Sequence, residues 1–184
     1  MPGLLSVVAT PIGNLEDVTL RSLRVLREAN LVAAEDTRHT AKLLRHFGIA
    51  TPTISFHAHN LKSRLPHLLQ KLVEGQHLAL VSDAGTPGVS DPGVELVDAC
   101  RQAGIRVEPI PGASAPLAAV VASGFPMIPL TVFGFPPIRS VDRKRWFEKA
   151  ARIDHTFTFF EAPHRISSCL DESRTYFVGR PIMV

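Results

Sequence analysis

The sequence predicts an α/β protein, a mainly parallel N-terminal sheet flanked by helices and followed by a partial second α/β domain. Two observations predict the first part. Short apolar runs alternate with stretches whose apolar residues recur at helical spacing. The loops that follow the apolar runs carry glycine, proline and acidic residues, as at the carboxyl ends of strands that bind ligands. The second part follows from a change in composition after residue 122.

In chain order, Leu4–Ala9 reads as a strand and Thr10–Asp17 as its loop. Thr19–Ala29 places Leu20, Leu23, Val25 and Leu26 at helical spacing. Leu31–Ala34 is a second strand, ending in Glu35-Asp36-Thr37-Arg38, and Thr40–Phe47 is a helix stopped by Gly48. Thr53–Phe56 is a short strand, Lys62–Glu74 a helix and His77–Val81 a strand. A helix near 94–103, a strand over Ile105–Ile110 and a small-residue helix over Leu117–Ala122 complete a domain spanning 1–122. Residues 123–129 hold two prolines and a glycine and read as a linker. Over 130–184 come a strand at Leu130–Phe133, a basic helix at Asp142–Ala151, a strand at His155–Phe160, a helix and a last apolar run, Pro181–Val184. That run is expected to be strand. A sheet so small rarely stands alone, so the expectation is a C-terminally truncated two-domain protein.

The loop Ser82–Gly93 is the strongest functional signal. It holds three glycines and two prolines in twelve residues, whereas ordinary strand-to-helix turns run to about two to six residues. Small residues let bare main-chain amides approach a ligand. The loop lacks Gly-x-Gly-x-x-Gly and the Gly-Lys-Ser/Thr ending of a phosphate loop. It carries Asp83 and Asp91 but no lysine or arginine, which argues against a polyphosphate and for a cationic or zwitterionic ligand.

Composition narrows the classes further. With 45% hydrophobic residues in 184, the chain has material for a packed core and is not of disordered type. A net charge of +3, without a dense Lys/Arg block, permits an anionic partner and does not demand one. Leu4–Val8 is too short for a membrane span and lacks a charged leader before it. Cys100 and Cys169 stand far apart without CxxC spacing, so buried thiols in a reducing cytoplasm are expected and a metal is not.

Five segments stand in one order: Val8-Ala-Thr-Pro-Ile-Gly-Asn-Leu15, Ala34-Glu-Asp-Thr-Arg38, Ser82-Asp-Ala-Gly-Thr-Pro-Gly88, Pro109-Ile-Pro-Gly-Ala-Ser-Ala115 and Phe160-Glu-Ala-Pro-His-Arg-Ile166. Together they resemble the 16S ribosomal RNA cytidine-2′-O-methyltransferases of the tetrapyrrole-methylase superfamily, from about Leu4 to Val184. The resemblance implies two α/β domains with S-adenosylmethionine (AdoMet) in the cleft between them. It also implies a cytoplasmic homodimer that methylates a cytidine ribose of 16S rRNA in the 30S ribosomal subunit. Members of that family run on for roughly a hundred residues more, and commonly carry Glu where this chain has Ala58.

The resemblance implies cofactor contacts at Pro11, Ile12 and Gly13, at Asp83, Ala84, Gly85 and Pro87, at Ser114 and Ala115, and at Glu161 and Ala162. An acid at position 83 suits ribose hydroxyls or an amino group. Arg38 suits an RNA phosphate, since a guanidinium forks onto its oxygens. Asn60, Arg143, Arg145, His164 and Arg165 are further RNA candidates. Arg139, Lys144 and Lys149 share the basic stretch around Trp146, and His164-Arg165 precedes a helix. Phe56 is either core or a platform for an unpaired base.

Methyl transfer to a ribose hydroxyl needs positioning and removal of the hydroxyl proton. Asp36, His57 and His59 are the catalytic candidates, with a lysine beyond Val184 also open. His57 and His59 are expected to alternate along a strand and so to point the same way. Two other functions remain open: methylation of a tetrapyrrole or of a modified translation-factor histidine, or a folded fragment that only binds.

Overall fold

A computed structural model describes residues 3–184 apart from Ser90 and Pro92, so the part of the expected loop rigidity that rests on Pro92 lies outside the described residues. The chain divides into two compact units, Met1–Ser114 and Ala115–Val184.

The first unit is built on a five-stranded sheet of β1 (Leu4–Val8), β2 (Leu31–Ala34), β3 (Thr53–Ser55), β4 (His77–Val81) and β5 (Arg106–Ile110), in the order β3-β2-β4-β1-β5. Every pairing in it is parallel. Four helices cross between strands: α1 (Leu20–Glu28), α2 (Thr37–His46), α3 (Leu61–Val73) and α4 (Gly93–Gln102).

Strand alternation decides which helix covers which face. Val8, Val32, Ala34, Ala79, Val81 and Ile110 point to one side and pack with Val25 and Leu26 of α1 and Leu43 and Leu44 of α2. Leu5, Ala33, Leu78 and Leu80 point to the other, against Leu68 and Leu72 of α3 and Leu96 and Cys100 of α4. Helices on both faces are what an all-parallel sheet requires. Phe56 is 1% exposed and sits in this second layer. It is core, and no base can stack on it.

The chain leaves β1 towards β2 on one side of the sheet and leaves β4 towards β5 on the other. The point where the winding reverses therefore lies between the ends of β1 and β4, and ligands of open α/β sheets bind at such a point. Both expected loops, Thr10–Asp17 and Ser82–Gly93, begin there.

The second unit holds α5 (Ala115–Ser123), β6 (Leu130–Val132), α6 (Ser140–Ala151), β7 (Thr156–Thr158) and α7 (Ile166–Tyr176). β6 and β7 pair in parallel with α6 as their crossover. Phe147, Ala150, Cys169 and Phe177 form its core, with Trp146, Phe133 and Phe157 packed around them.

Three expectations are corrected. The division falls at Ser114/Ala115 and not after residue 122, so α5 belongs to the second unit and residues 123–129 lie inside it. Pro116 and Val120 are buried and line a cavity of about 690 Å³ whose walls all belong to the second unit. Pro181–Val184 forms no strand. A strand needs a ladder partner, and Ile182 and Met183 line that cavity. Finally, α2 begins at Thr37, ahead of the expected Thr40, because Asp36 caps it.

Candidate functional site

Three loops at the carboxyl edge of the first unit's sheet are stitched together. Beyond β1 and β4, the N–H of Thr10 donates to the Gly85 carbonyl (2.9 Å), and the N–H of Gly85 donates back to Thr10 (3.0 Å). The Thr10 hydroxyl donates to the Ser82 carbonyl at 3.2 Å. Gly85 has φ +82°, which a side chain rarely adopts. The loop after β5 joins through Thr86, whose hydroxyl donates to the Ala113 carbonyl at 3.2 Å. Gly112 lies so close to the end of β1 that a Cβ there would stand 2.8 Å from the Ala9 Cβ.

A second set of bonds ties β2 to β4. The Asp36 N–H donates to Asp83 Oδ1 at 3.0 Å, and the Asp83 N–H donates to Glu35 Oε2 at 3.4 Å. Burial pushes the Glu35 carboxyl above the usual carboxylate range. The charges of Asp83 and Asp91 reinforce that shift, and the Asp83 N–H and the His57 charge oppose it. Sequence reasoning passed over Glu35 for its neighbour Asp36. The burial and the acidic neighbours that distinguish the two exist only once β2 and β4 are paired.

Asp36 has a different character. Its Oδ1 accepts from the Arg38 N–H at 2.8 Å, and its carboxylate also takes the Arg38 guanidinium, Nη2 to Oδ2 at 3.0 Å. The guanidinium and this cap hold Asp36 down to about 2. Such a carboxylate is a poor base near neutral pH. The Arg38 side chain is 90% exposed, so its outward N–H groups face water.

Asp91 is not aimed at a ligand. Its oxygens accept from the N–H groups of Gly88 (2.9 and 2.8 Å) and Gly93 (3.0 Å), stapling the loop to the start of α4. Of the loop's two acids, Asp83 is the one with an oxygen, Oδ2, that takes no bond among the described residues.

The histidines do not lie on a strand. β3 ends at Ser55, and His57–Asn60 forms a turn leading into α3. A turn still brings the rings together, with centroids 5.9 Å apart. Asn60 is used up within that turn. Its Oδ1 accepts from the His57 N–H at 2.9 Å, and its amide N–H₂ reaches the Ser55 carbonyl at 3.1 Å and His57 Nε2 at 3.2 Å. Its two amide N–H groups are therefore taken up within the turn. His59 is exposed. Among the described residues no group of three or more His, Cys, Asp or Glu is placed to hold a metal. Both cysteines are buried, and burial lifts the Cys100 thiol to about 11.

In the second unit the expected RNA residues separate. Arg143 is 11% exposed on its side chain and pairs with Glu161 at 3.0 Å and Glu172 at 2.6 Å. Arg165 Nε lies 2.9 Å from Glu161 Oε1, an ionic contact in which the N–H is not aimed at the oxygen. Arg143 is thus a carboxylate partner on both sides, while Arg165 makes a looser ionic contact to the same Glu161. Glu161 is 2% exposed on its side chain and also accepts from the Ala162 N–H at 2.9 Å, so its carboxylate is spent inside the unit. Burial acts to raise its pKa, but that N–H, Arg143 and Arg165 outweigh it, and the net shift is downward. Arg145 is exposed, as are Arg139, Lys144 and Lys149. His164 is exposed in a short 3₁₀ turn ahead of α7. Ser114 closes the first unit and Ala115 opens α5.

The profile of the family described as Tetrapyrrole (Corrin/Porphyrin) Methylases matches residues 4–184. The chain belongs to the tetrapyrrole methylase family. Among curated relatives it is 50% identical over 174 residues to Ribosomal RNA small subunit methyltransferase I of Synechocystis sp., covering 95% of this chain and 62% of that protein. It is 49% identical to the protein of the same name from Halalkalibacterium halodurans, covering 99% and 63%. The chain therefore spans a little over three fifths of the length of these relatives. Solved structures of tetrapyrrole methylases share the fold. Uroporphyrin-III-C-methyltransferase from Thermus thermophilus superposes with TM-score 0.56 at 26% identity, over 73% of this chain and 61% of that one. The methyltransferase CobJ superposes with TM-score 0.68 at 23% identity, over 95% and 76%. No helix among the described residues is long and apolar enough to cross a membrane.

Proposed function

We propose that the protein is an AdoMet-dependent methyltransferase that modifies a cytidine 2′-hydroxyl in small-subunit ribosomal RNA, as a homodimer in the cytoplasm. The observation that carries this reading is the joining of the loops after β1, β4 and β5 at the reversal of the winding, held by the paired Thr10–Gly85 bonds. The names of the relatives at about half identity support the RNA substrate.

The residues present suit AdoMet. Gly85 and Gly112 let the loops after β1, β4 and β5 approach one another closely, since a Cβ at Gly112 would stand 2.8 Å from Ala9 and one at Gly85 would stand 3.4 Å from Ile12, and so bring main-chain groups of the Pro11–Gly13 and Asp83–Pro87 loops together. Asp83 Oδ2 is free to accept from a ribose hydroxyl or an ammonium group. Ser114 lies on the same edge, in the loop after β5. When bound, AdoMet supplies an electrophilic methyl carbon on a sulfonium.

Glu35 is the residue that fits proton removal. A ribose hydroxyl is a poor nucleophile until its proton is taken up. Glu35 would take up the hydroxyl proton as the ribose oxygen accepts the methyl group that bound AdoMet would supply, with S-adenosylhomocysteine as the leaving group. Both acids are half-buried, but burial gives Glu35 a raised affinity for a proton, where the Arg38 guanidinium and the cap lower that of Asp36. Arg38, with its exposed guanidinium, is the phosphate anchor on the same edge, and Arg145 and His164 are candidates on the second unit.

Transfer of tritium from labelled AdoMet to 30S subunits, against a porphyrinoid acceptor, tests the proposal in the native protein. Label in 16S rRNA at a ribose 2′-oxygen is the expected result. Label in the porphyrinoid alone overturns the RNA reading.

A further inference from the structure

The ends of β2 and β4 show how the Asp83 carboxylate is held. The last ladder pair is Ala34 with Val81. Beyond it the strands stop pairing main chain to main chain. Side chains take over: Asp83 Oδ1 receives the Asp36 N–H, and Glu35 Oε2 receives the Asp83 N–H. Each loop satisfies an amide of the other.

The Asp36 peptide is itself fixed by its own side chain. Asp36 has φ −118° and ψ 111°, the extended geometry of a capping residue, and its Oδ1 closes the cap onto the Arg38 N–H. The cap sets where the Asp36 N–H points, and that N–H sets the rotamer of Asp83.

We infer that Asp36 is a positioning residue for methyl-donor binding: by capping α2 it aims its own amide at Asp83 and so presents the second Asp83 oxygen to the donor. This rests on the reading that Asp83 contacts AdoMet. It assigns Asp36 a role other than that of a base. A base must lose function when its carboxylate becomes an amide. A cap need not, because Asn caps about as well as Asp. The low pKa of Asp36 agrees with capping and ion pairing rather than proton uptake.

The test uses the native protein and the product S-adenosylhomocysteine, which binds without turnover. Calorimetry is run on wild type, Asp36→Ala, Asp36→Asn and Asp83→Asn, with turnover on 30S subunits measured alongside. Hydrogen exchange at the Arg38 amide reports the cap, and at the Asp36 amide it reports the bond to Asp83. Asp36→Ala is expected to weaken binding about fivefold, the worth of one cap, and to expose the Asp36 amide. Asp36→Asn is expected to restore both to within about twofold and to retain kcat.

A loss of kcat in Asp36→Asn as deep as in Asp36→Ala overturns the inference and makes the carboxylate itself the working group. Unchanged binding in Asp36→Ala also overturns it, provided wild type binds. A wild type without measurable binding overturns the reading of the donor site itself. Those two failures are distinguished by the wild-type titration alone.

Discussion

Thr10 and Gly85 exchange both main-chain hydrogen bonds, at 2.9 and 3.0 Å, although 75 positions separate them. The pair forms one antiparallel bridge at the edge of an otherwise parallel sheet. It locks the loops after β1 and β4 to each other, and the Gly85 φ of +82° is what allows the chain to turn there.

Gly85→Val is therefore expected to lower AdoMet affinity by strain at a left-handed φ, and Asp83→Ala to lower it about tenfold or more by removing a charged hydrogen-bond partner. Calorimetry on the native protein measures both. Unchanged affinity in both variants moves the donor site elsewhere.

Arg38 and Asp83 should separate by ligand. Arg38→Ala leaves the Asp36 cap in place, so AdoMet binding stays near wild type while RNA binding weakens. The log–log salt slope of RNA binding should flatten by roughly one unit, somewhat less on a single strand. Filter binding over a salt series checks it. An unchanged slope together with lost AdoMet binding makes Arg38 a residue of the fold or of the donor site.

Asp36 should titrate well below the ordinary aspartate value. Its carboxylate is held at about 2 against an ordinary 3.8. A depressed carboxylate stabilises the folded state above the unfolded value, and that contribution is lost as pH falls from about 3.8 through about 2. Carboxyl-carbon NMR of Asp36 should show this midpoint in wild type and a rise in Arg38→Ala. Equal midpoints in the two proteins rule out the guanidinium as the main cause.

Glu35 carries the opposite sign. Its folded-state pKa is raised, chiefly by burial, so its ionised form costs stability at neutral pH and costs nothing once both states are protonated. Glu35→Gln should therefore raise the unfolding midpoint in urea at pH 7 while suppressing methyl transfer, and the gain should vanish below the ordinary carboxylate range. A variant less stable at pH 7 contradicts the assignment.

Arg143 and Arg145 make the contrast within α6. Arg143→Ala strands the nearly buried Glu161 with Arg165 alone and should cost about 3 kcal/mol. Arg145→Ala, at a side chain 74% exposed, should cost within about 0.5 kcal/mol. Denaturant melts of the two variants decide whether Arg143 is structural.

The strands and helices of the first unit were legible because local pattern and tertiary demand agree there. Leu78–Val81 is apolar throughout because both faces are covered, and Gly48 marks the end of α2 by its own chemistry. The donor loops were legible because tight approach restricts residue type, as at Gly85 and Gly112. What stayed hidden depends on partners distant in sequence. Arg143 and Arg145 look alike in a basic stretch, and only Glu161 and Glu172 turn the first of them inward. Glu35 and Asp36 are adjacent acids, and only the pairing of β2 with β4 buries one and leaves the other to cap. The His57-Ala58-His59-Asn60 segment has the alternation of a strand, but Asn60 folds it into a turn through its side chain, a bond that periodicity does not record.

The strand order has a consequence for synthesis. β1 leaves the ribosome before every other strand, yet its two neighbours are β4 and β5, with Leu4 set against His77 on one side and Arg106 on the other. Leu5 and Val8, wholly buried when folded, thus have no ladder to join until more than half of the first unit has been translated. Of the sheet's strands, β2 and β3 alone pair with a sequence neighbour. The nascent chain is expected to hold α1, β2, α2 and β3 as a loose early module, with β1 a sticky apolar segment that holding factors shield. The two donor loops are then joined late, since Thr10 cannot meet Gly85 before β4 has slid in beside β1.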